Sequence, residues 1–291
     1  LTVDLHRIFA SRSRQARRRT EGEVMDLSER VPHGVDVTQP SAARIYDYFL
    51  GGAHNFAVDR ALADQITTMT PNVGQTMRAG RAFLRRAVRF LVAAGIRQFL
   101  DIGSGIPTVG NVHEIAQQAA PESKVIYVDV DPIAVAHSRA ILEGSDRAAV
   151  IQADLREPER ILAEARQAEL IDFSQPTAIL LAGVVHFVLD ADDPAGHVAT
   201  LRNTLTPGGY LVLSHTTMDD QPPEVVRAQR LSQRTGTEIA LRSRAQIEAY
   251  FEGLTLVEPG LVFLPAWRPD PGDVVDHPEQ VAAYGGVGRK D

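Results

Sequence analysis

The sequence predicts an α/β protein built on a mostly parallel sheet with helices on both faces. Strand-like runs alternate with helical segments from residue 96 to residue 216, at about 25 to 30 residues per unit, as in sheets assembled from strand-helix-strand units. The runs are continuously apolar rather than alternating, as strands buried on both faces require. The 291 residues are 44% hydrophobic and 23% charged, enough for one large domain with additions.

Residues 1–30 read as a disordered basic extension. "RIFASRSRQARRR" (7–19) has no acid between Asp4 and Glu21, and so polar a stretch cannot bury enough surface to fold alone. A nucleic-acid arm and a targeting peptide are the competing readings. Residues 31–95 read as a helical N-terminal cap: the connector "VPHGVDVTQP" (31–40), then helical patterns at 41–50, 57–69 and 75–94. In the last, Phe83, Val88 and Leu91 share an apolar stripe while Arg78, Arg81, Arg85, Arg86 and Arg89 lie off it as a solvated face.

The α/β region spans 96–268. "IRQFLDIG" is its first strand, followed by a helix at 108–119. "KVIYVDVD" (124–131) precedes a helix at 132–142, and "AVIQADL" (149–155) precedes one around 157–168. "TAILLAGVVHFV" (177–188) and "GGYLVLSHT" (208–216) are the fourth and fifth strands. "LTLVEPGLVFL" (254–264) breaks at Pro259-Gly260, predicting two strands joined by a turn as an antiparallel finish. The tail, 269–291, is rich in Pro, Gly and Asp and reads as a surface coil.

Composition narrows function. A net charge of −7 argues against a broad nucleic-acid footprint, which needs a basic field. The absence of cysteine removes disulfides and thiolate chemistry and fits a reducing cytoplasm. No apolar run approaches the roughly 18 residues that span a bilayer, so membrane partners are not expected. Oligomeric state is not legible.

Chemistry concentrates at the ends of the first three strands. In "FLDIGSGIPTVG" (99–110) the chain turns at Gly103-Ser104-Gly105 toward a helix. Glycines let backbone approach a ligand, and a helix N-terminus offers free N–H groups. Thr108 stands where the dinucleotide fingerprint has its third glycine. Asp129 ends the second strand, where a carboxylate can accept from ribose hydroxyls, and Asp154 ends the third on the same edge. Three acids at three successive strand ends point to an adenosine-type cofactor. Asp101, directly before the glycines, would repel a pyrophosphate but can orient an ammonium, which favours S-adenosylmethionine (SAM) over nicotinamide. An NAD(P)-dependent oxidoreductase is the alternative enzyme class, and a non-catalytic SAM-binding regulator a third reading.

"LDIGSG", "YVDVDP", "ADL" and "LTPGGYLVLS" resemble, in order and spacing, the motifs of class I SAM-dependent methyltransferases across 96–216. "PSAARIYDYFLGGAHNFAVDR" and "RAFLRRAVRFL" resemble a bacterial family of these enzymes long catalogued as a domain of unknown function, over about 36–268. The resemblance implies a Rossmann-like sheet of seven strands, order 3-2-1-4-5-7-6, with one antiparallel. It implies that Asp101, Gly103, Ser104 and Gly105 cradle the methionine part of SAM. Asp129 would bind ribose, with Val130 and Asp131 beside the adenine edge. Asp154 would meet the adenine amino group, with Leu155 packing on the ring, and Ala182 and Gly183 would face the methyl group.

In-line transfer from positive sulfur needs chiefly a well-held nucleophile, and a base only if the acceptor must lose a proton. His186 is the candidate base, set against a histidine that merely packs there, and His215 is a further cleft residue. Asp190, Asp192 and Asp193 read as a polar helix start rather than a metal site. Arg81 could reach the cofactor's carboxylate. In "IYDYFLGGAHNFAVDR" (45–60) the helix ends at Gly51-Gly52, leaving Tyr46, His54 and Asn55 as candidates for contacting cofactor or acceptor. Residues 217–238 read as a lid. The acceptor is expected to be a small molecule.

Overall fold

The computed structural model describes residues 37–106, 110–221 and 239–291. The basic arm lies outside these residues, as does most of the expected lid. Three helices come first: α1 (Ala42–Phe49), α2 (Ala57–Met69) and α3 (Val73–Ala93). The alternating region follows as β1 (Gln98–Ile102), α4 (Val112–Ala119), β2 (Lys124–Asp129), α5 (Pro132–Ile141), β3 (Ala148–Gln152), α6 (Pro158–Gln167), β4 (Ala178–Ala182), α7 (Pro194–Arg202) and β5 (Tyr210–Thr216). The chain finishes with α8 (Arg244–Glu248), β6 (Thr255–Leu256), β7 (Val262–Phe263) and β8 (Ala283–Arg289).

Helix starts follow local chemistry. Asp131 caps α5 through the Ile133 N–H, with Pro132 in the first turn where its missing N–H costs nothing. Asp193 caps α7 in the same way, ahead of Pro194. The helix after the glycine turn begins at Val112, not at 108. Glu114 reaches back 2.8 Å to the Asn111 N–H, which sets that start.

The sheet order is β3-β2-β1-β4-β5-β8-β6, with β7 pairing β8 off that path. Strands β1 to β5 are parallel. Strand β8 is antiparallel to β5, from Tyr210 opposite Arg289 to Thr216 opposite Ala283. Both β6 and β7 pair with β8 and not with each other. The expected order therefore holds, with β8 filling the seventh-strand place and an eighth short strand beside it.

The tail is consequently no coil, and the α/β domain does not stop at 268. "AYGGVGR" reads as coil because it is glycine-rich, yet the glycines are what let a strand pass there. A Cβ on Gly285 would lie 2.7 Å from Leu264 and 2.9 Å from Phe83, and one on Gly288 would lie 2.8 Å from Phe251.

Alternate strand residues feed two cores. Leu100, Ile126, Ile179, Leu181, Leu211 and Leu213 face α6 and α7, meeting Ile161 and Leu201. Phe99, Val125, Leu180 and Val212 face the other way, against Phe83, Leu91, Ala116 and Trp267. The arginine face of α3 is only partly solvated. Arg86 is buried and donates to the carbonyls of Trp267 (2.9 Å) and Leu264 (2.7 Å), tying the helix to the segment before the tail.

Candidate cofactor and acceptor site

The carboxyl ends of β1, β2, β4 and β5 gather the predicted residues. Gly103 and Gly105 both adopt left-handed backbone, φ +74° and +67°. The N–H groups of Gly103 and Ser104 bond the Val128 carbonyl at 2.8 and 3.2 Å, drawing the turn onto β2. A Cβ on Gly103 would sit 2.3 Å from Val184 Cγ2, just past β4. Glycine is thus required twice over, by conformation and by the closeness of the β4 exit. Gly103→Ala is expected to lower the melting temperature by several degrees, since left-handed strain alone costs about 1–2 kcal/mol. Differential scanning calorimetry reads this, and adding Val184→Ala should recover the steric part.

Asp129 closes the turn from the second strand. Its Oδ2 accepts from the Gly105 N–H at 2.7 Å and its Oδ1 from the Asp131 N–H at 2.9 Å. A carboxylate has about four acceptor positions, so capacity remains for ribose hydroxyls. Burial is the main influence raising its pKa. Among the described residues the buried Ser104 hydroxyl has no hydrogen-bond partner, an opening that a polar ligand at the turn would fill.

Asp101 lies 4% exposed at the end of β1. Burial lifts its pKa to about 7, opposed by the nearby charge of Arg81 and reinforced by that of Asp129. Arg81 reaches over from α3 and donates to Asn111 Oδ1 at 3.2 Å. Tyr46, from α1, is in electrostatic range of both Arg81 and Asp101, and burial raises its pKa. Its hydroxyl donates to the Met77 carbonyl at 3.4 Å. The structure therefore brings Tyr46, Arg81 and Asp101 together.

His54 and Asn55 are used differently from expectation. Asp47, 1% exposed, organises their loop by accepting from the His54 N–H (2.8 Å) and the Asn55 side-chain amide (2.9 Å). The same amide donates to the Gly52 carbonyl, and Arg60 donates to Asn55 Oδ1 at 3.0 Å. Asn55 is thus committed to the loop's own framework. The His54 ring packs edge-on to His137 of α5, centroids 4.6 Å apart, which places the loop beside the β2 exit. Asp131 is likewise committed: besides capping α5 it accepts a hydrogen bond from the Ser41 hydroxyl, docking the start of α1. Val130 stays 58% exposed, an apolar face at the predicted adenine edge.

At the third strand, Asp154 is held by Arg156, whose Nε and Nη2 approach its Oδ2 at 3.0 and 2.6 Å. These bonds hold its carboxyl below the ordinary range. Leu155 is buried in the core against residues such as Ile161, so its packing is interior rather than on an exposed ring site. A recess of about 550 Å³ includes Val130, Gln152, Ala153, Asp154 and Arg160 in its lining, beside the residues predicted to meet adenine.

The fourth strand leaves through Ala182 and Gly183, the latter left-handed at φ +73°. A tight turn, Val185–Phe187, follows and carries His186. His186 is 7% exposed, and its buried Nδ1 has no hydrogen-bond partner among the described residues. A Cβ on Gly183 would lie 3.8 Å from His186 Cε1. Burial, then the charges of His215 and Arg242, push its pKa down to about 3. Such an imidazole is neutral at physiological pH, a hydrogen-bonding group but a weak proton acceptor. His215 faces it edge-on at 5.6 Å.

Arg242 escapes sequence reasoning altogether. It follows the expected lid, in "LRSRAQ", and nothing in that string separates it from its surface neighbours. Of the acidic trio, Asp190 pairs with Arg242 at 2.6 Å and Asp193 caps α7.

A parallel sheet with a glycine turn after β1, an acid ending β2 and a reversed strand beyond β5 defines the class I methyltransferases. The chain belongs to the S-adenosyl methyltransferase family, which it matches over residues 28–291. It is similar to a methyltransferase candidate from Thermobifida fusca YX, with 41% identity over 89% of this chain and 98% of that one, TM-score 0.83. It is equally similar to a DUF574 family protein from Streptomyces avermitilis MA-4680, with 42% identity over 88% and 99% of the two chains, TM-score 0.82. No curated relative matches the chain. It is a SAM-dependent methyltransferase, and the oxidoreductase alternative falls with that membership. No helix among the described residues is long and apolar enough to cross a membrane.

Proposed function

We propose that the chain methylates a small-molecule acceptor seated between the β4 exit turn and the capping helices. The observation that carries this reading is the pairing of a glycine turn and strand-end acid that fit the cofactor with a buried histidine nitrogen left unbonded beside the β4 exit. Gly103, Ser104, Gly105 and Asp129 form the cradle, and His186 presents a buried, unpartnered nitrogen beyond Gly183. The residues present fit SAM. The Ser104 hydroxyl and the remaining acceptor sites of Asp129 suit its polar groups, Asp101 suits an ammonium, and Arg81 suits a carboxylate. When bound, SAM supplies a methyl carbon activated by positive sulfur.

The protein's task is then to hold and orient. Asp129 fixes the ribose end, Asp101 and Arg81 the amino-acid end, and Tyr46 closes over them from α1. His186, neutral and hydrogen-bonding, aligns the acceptor rather than deprotonating it. Orientation of this kind can supply much of the acceleration.

Asp129→Ala is expected to weaken SAM binding by about 30-fold or more, in line with losing hydrogen bonds to a charged group. Asp129→Asn, which keeps one acceptor, should fall between. Isothermal calorimetry measures both, and an unchanged affinity would remove the ribose assignment. Incubation with methyl-labelled SAM and a library of small metabolites tests the function itself. Tight SAM binding with no transfer to any compound, while protein substrates are labelled, would overturn the small-molecule reading.

A further inference from the structure

Arg242 is 3% exposed and sits just before α8. One terminal nitrogen donates to the Val188 carbonyl at 2.9 Å and to Asp190 Oδ1 at 2.6 Å. The other donates to His215 Nε2 at 2.8 Å and approaches the Val185 carbonyl at 3.4 Å. The Tyr250 ring lies 5.8 Å away as a cation–π partner. Its carboxylate partner, Asp190, is 78% exposed. Pairing a buried cation with a solvated acid recovers little of the desolvation cost, so stability alone is a poor reason for this arrangement.

The geometry suggests a different reason. The guanidinium bridges the β4 exit turn and the end of β5, the two segments that flank the proposed acceptor position. Two residues earlier, the Ala240 N–H bonds the His186 carbonyl at 2.8 Å. The segment 240–242 therefore grips the turn at Val185, His186 and Val188. Arg242 also decides the state of His215. A guanidinium only donates, so Nε2 must accept. The proton then sits on Nδ1, which reaches the Thr216 carbonyl at 2.7 Å.

We propose that Arg242 is the positioning residue of the acceptor side. By clamping the turn Val185–Asp190 against His215, it holds the His186 ring with its unpartnered nitrogen available to a neutral, hydrogen-bonding acceptor group. The proposal rests on the methyl-transfer reading only for the word acceptor. The clamp itself concerns this chain's own residues.

The charged and titratable groups facing His215 are Arg242, Asp190, His186 and Tyr250. Burial, with the Arg242 charge, pushes the His215 pKa down to about 4. Histidine-selective ¹⁵N labelling of the full chain, with long-range ¹H–¹⁵N spectra across pH 4 to 9, reads tautomer and protonation directly. His186→Gln and His215→Gln assign the signals. Wild type should show His215 as the Nδ1–H tautomer, with both rings neutral throughout the upper range.

In Arg242→Met the His215 pKa should rise by about one unit or more, and the His186 ring signals should shift. Arg242→Lys should restore most of both, since an ammonium can still donate to Nε2. SAM affinity by calorimetry should stay within about threefold in each variant. A His215 that carries its proton on Nε2 in wild type would overturn the proposal, whether or not the Met variant folds. So would His186 and His215 signals that are unmoved in Arg242→Met, or a tenfold loss of SAM affinity in both variants. A wild type that binds no SAM would instead defeat the methyl-transfer reading, leaving the histidine spectra to decide the clamp.

Discussion

A chain ending at Ala282 is expected not to reach the native state. Strand β8 would be lost, and it pairs with β5 along that strand's entire length from Tyr210 to Thr216. It is also the only strand that β6 and β7 pair with among the described residues. Removing it strips β5 of one hydrogen-bonded edge, while Leu211, Val212 and Leu213 keep their side chains in both cores. Each lost ladder bond costs about 0.5–1.5 kcal/mol net. The buried Tyr284 and Val287 add about 1.5–3 kcal/mol each. Their sum reaches the whole stability of an ordinary domain, about 5–15 kcal/mol. An exposed apolar strand edge also invites aggregation. Expression of the truncated chain should give insoluble or rapidly proteolysed protein, whereas removing Asp291 alone, whose side chain bonds Thr255 at 2.5 Å, should barely shift the melt. Gly285→Leu makes the same point without truncation, because its side chain would press into Leu264 and Phe83. A soluble, cooperatively melting chain ending at Ala282 would show that β8 is an ornament.

This strand also marks where the sequence stops being legible. The five parallel strands are visible because strands buried on both faces must be largely apolar, and "VIYV", "AILLA" and "YLVL" are apolar throughout. The glycine turn is visible because left-handed backbone next to a strand end demands glycine, and Gly103 and Gly105 both take it. In "AYGGVGR" the partners do what side chains do elsewhere: Phe83, Phe251 and Leu264 fill the space above the glycines. Those partners lie 21 residues or more away in the chain and leave no local period. Buried charge is hidden for a related reason. Arg44 and Asp59 are both fully buried as a 2.6 Å ion pair that joins α1 to the start of α2, and Arg242 is buried against carbonyls of the β4 exit turn. Whether a charged residue is solvated or buried depends on tertiary partners, which composition does not record. The site divides along the same line. Asp101, Gly103, Gly105 and Asp129 are read from strand ends and turn geometry. The commitments of Asp131, His54 and Asn55 are not, because Ser41, His137 and Asp47 reach them from elsewhere.

Replacing Asp101 by Asn should stabilise the cofactor-free protein at pH 8 while impairing SAM binding. Asp101 is buried at the end of β1 with its pKa raised to about 7, against about 3.9 for an unperturbed aspartate. Its folded pKa therefore lies above its unfolded one, and between about pH 4 and pH 7 the folded state binds the extra proton. Stability from this group is fully present below that window and is lost as pH rises through it. At pH 8 the buried charge costs on the order of 2–4 kcal/mol. Asparagine has no charge to bury, so the variant should melt higher than wild type at pH 8 and lose that advantage near pH 5. The difference between the two melting curves against pH isolates this group from every other titration. Function should move the opposite way. A ligand ammonium beside Asp101 favours the carboxylate, so wild-type SAM affinity should rise with pH up to about 7 and then level. At pH 6, calorimetry in buffers of different ionisation enthalpy should report a proton released on binding. Asp101→Asn should show neither the pH slope nor the proton release, and should bind SAM about tenfold or more weakly, consistent with the loss of one charge-assisted contact. Those results together would mean a carboxylate held at a cost to the empty fold that binding offsets. Identical pH profiles for wild type and variant would place the ammonium somewhere else.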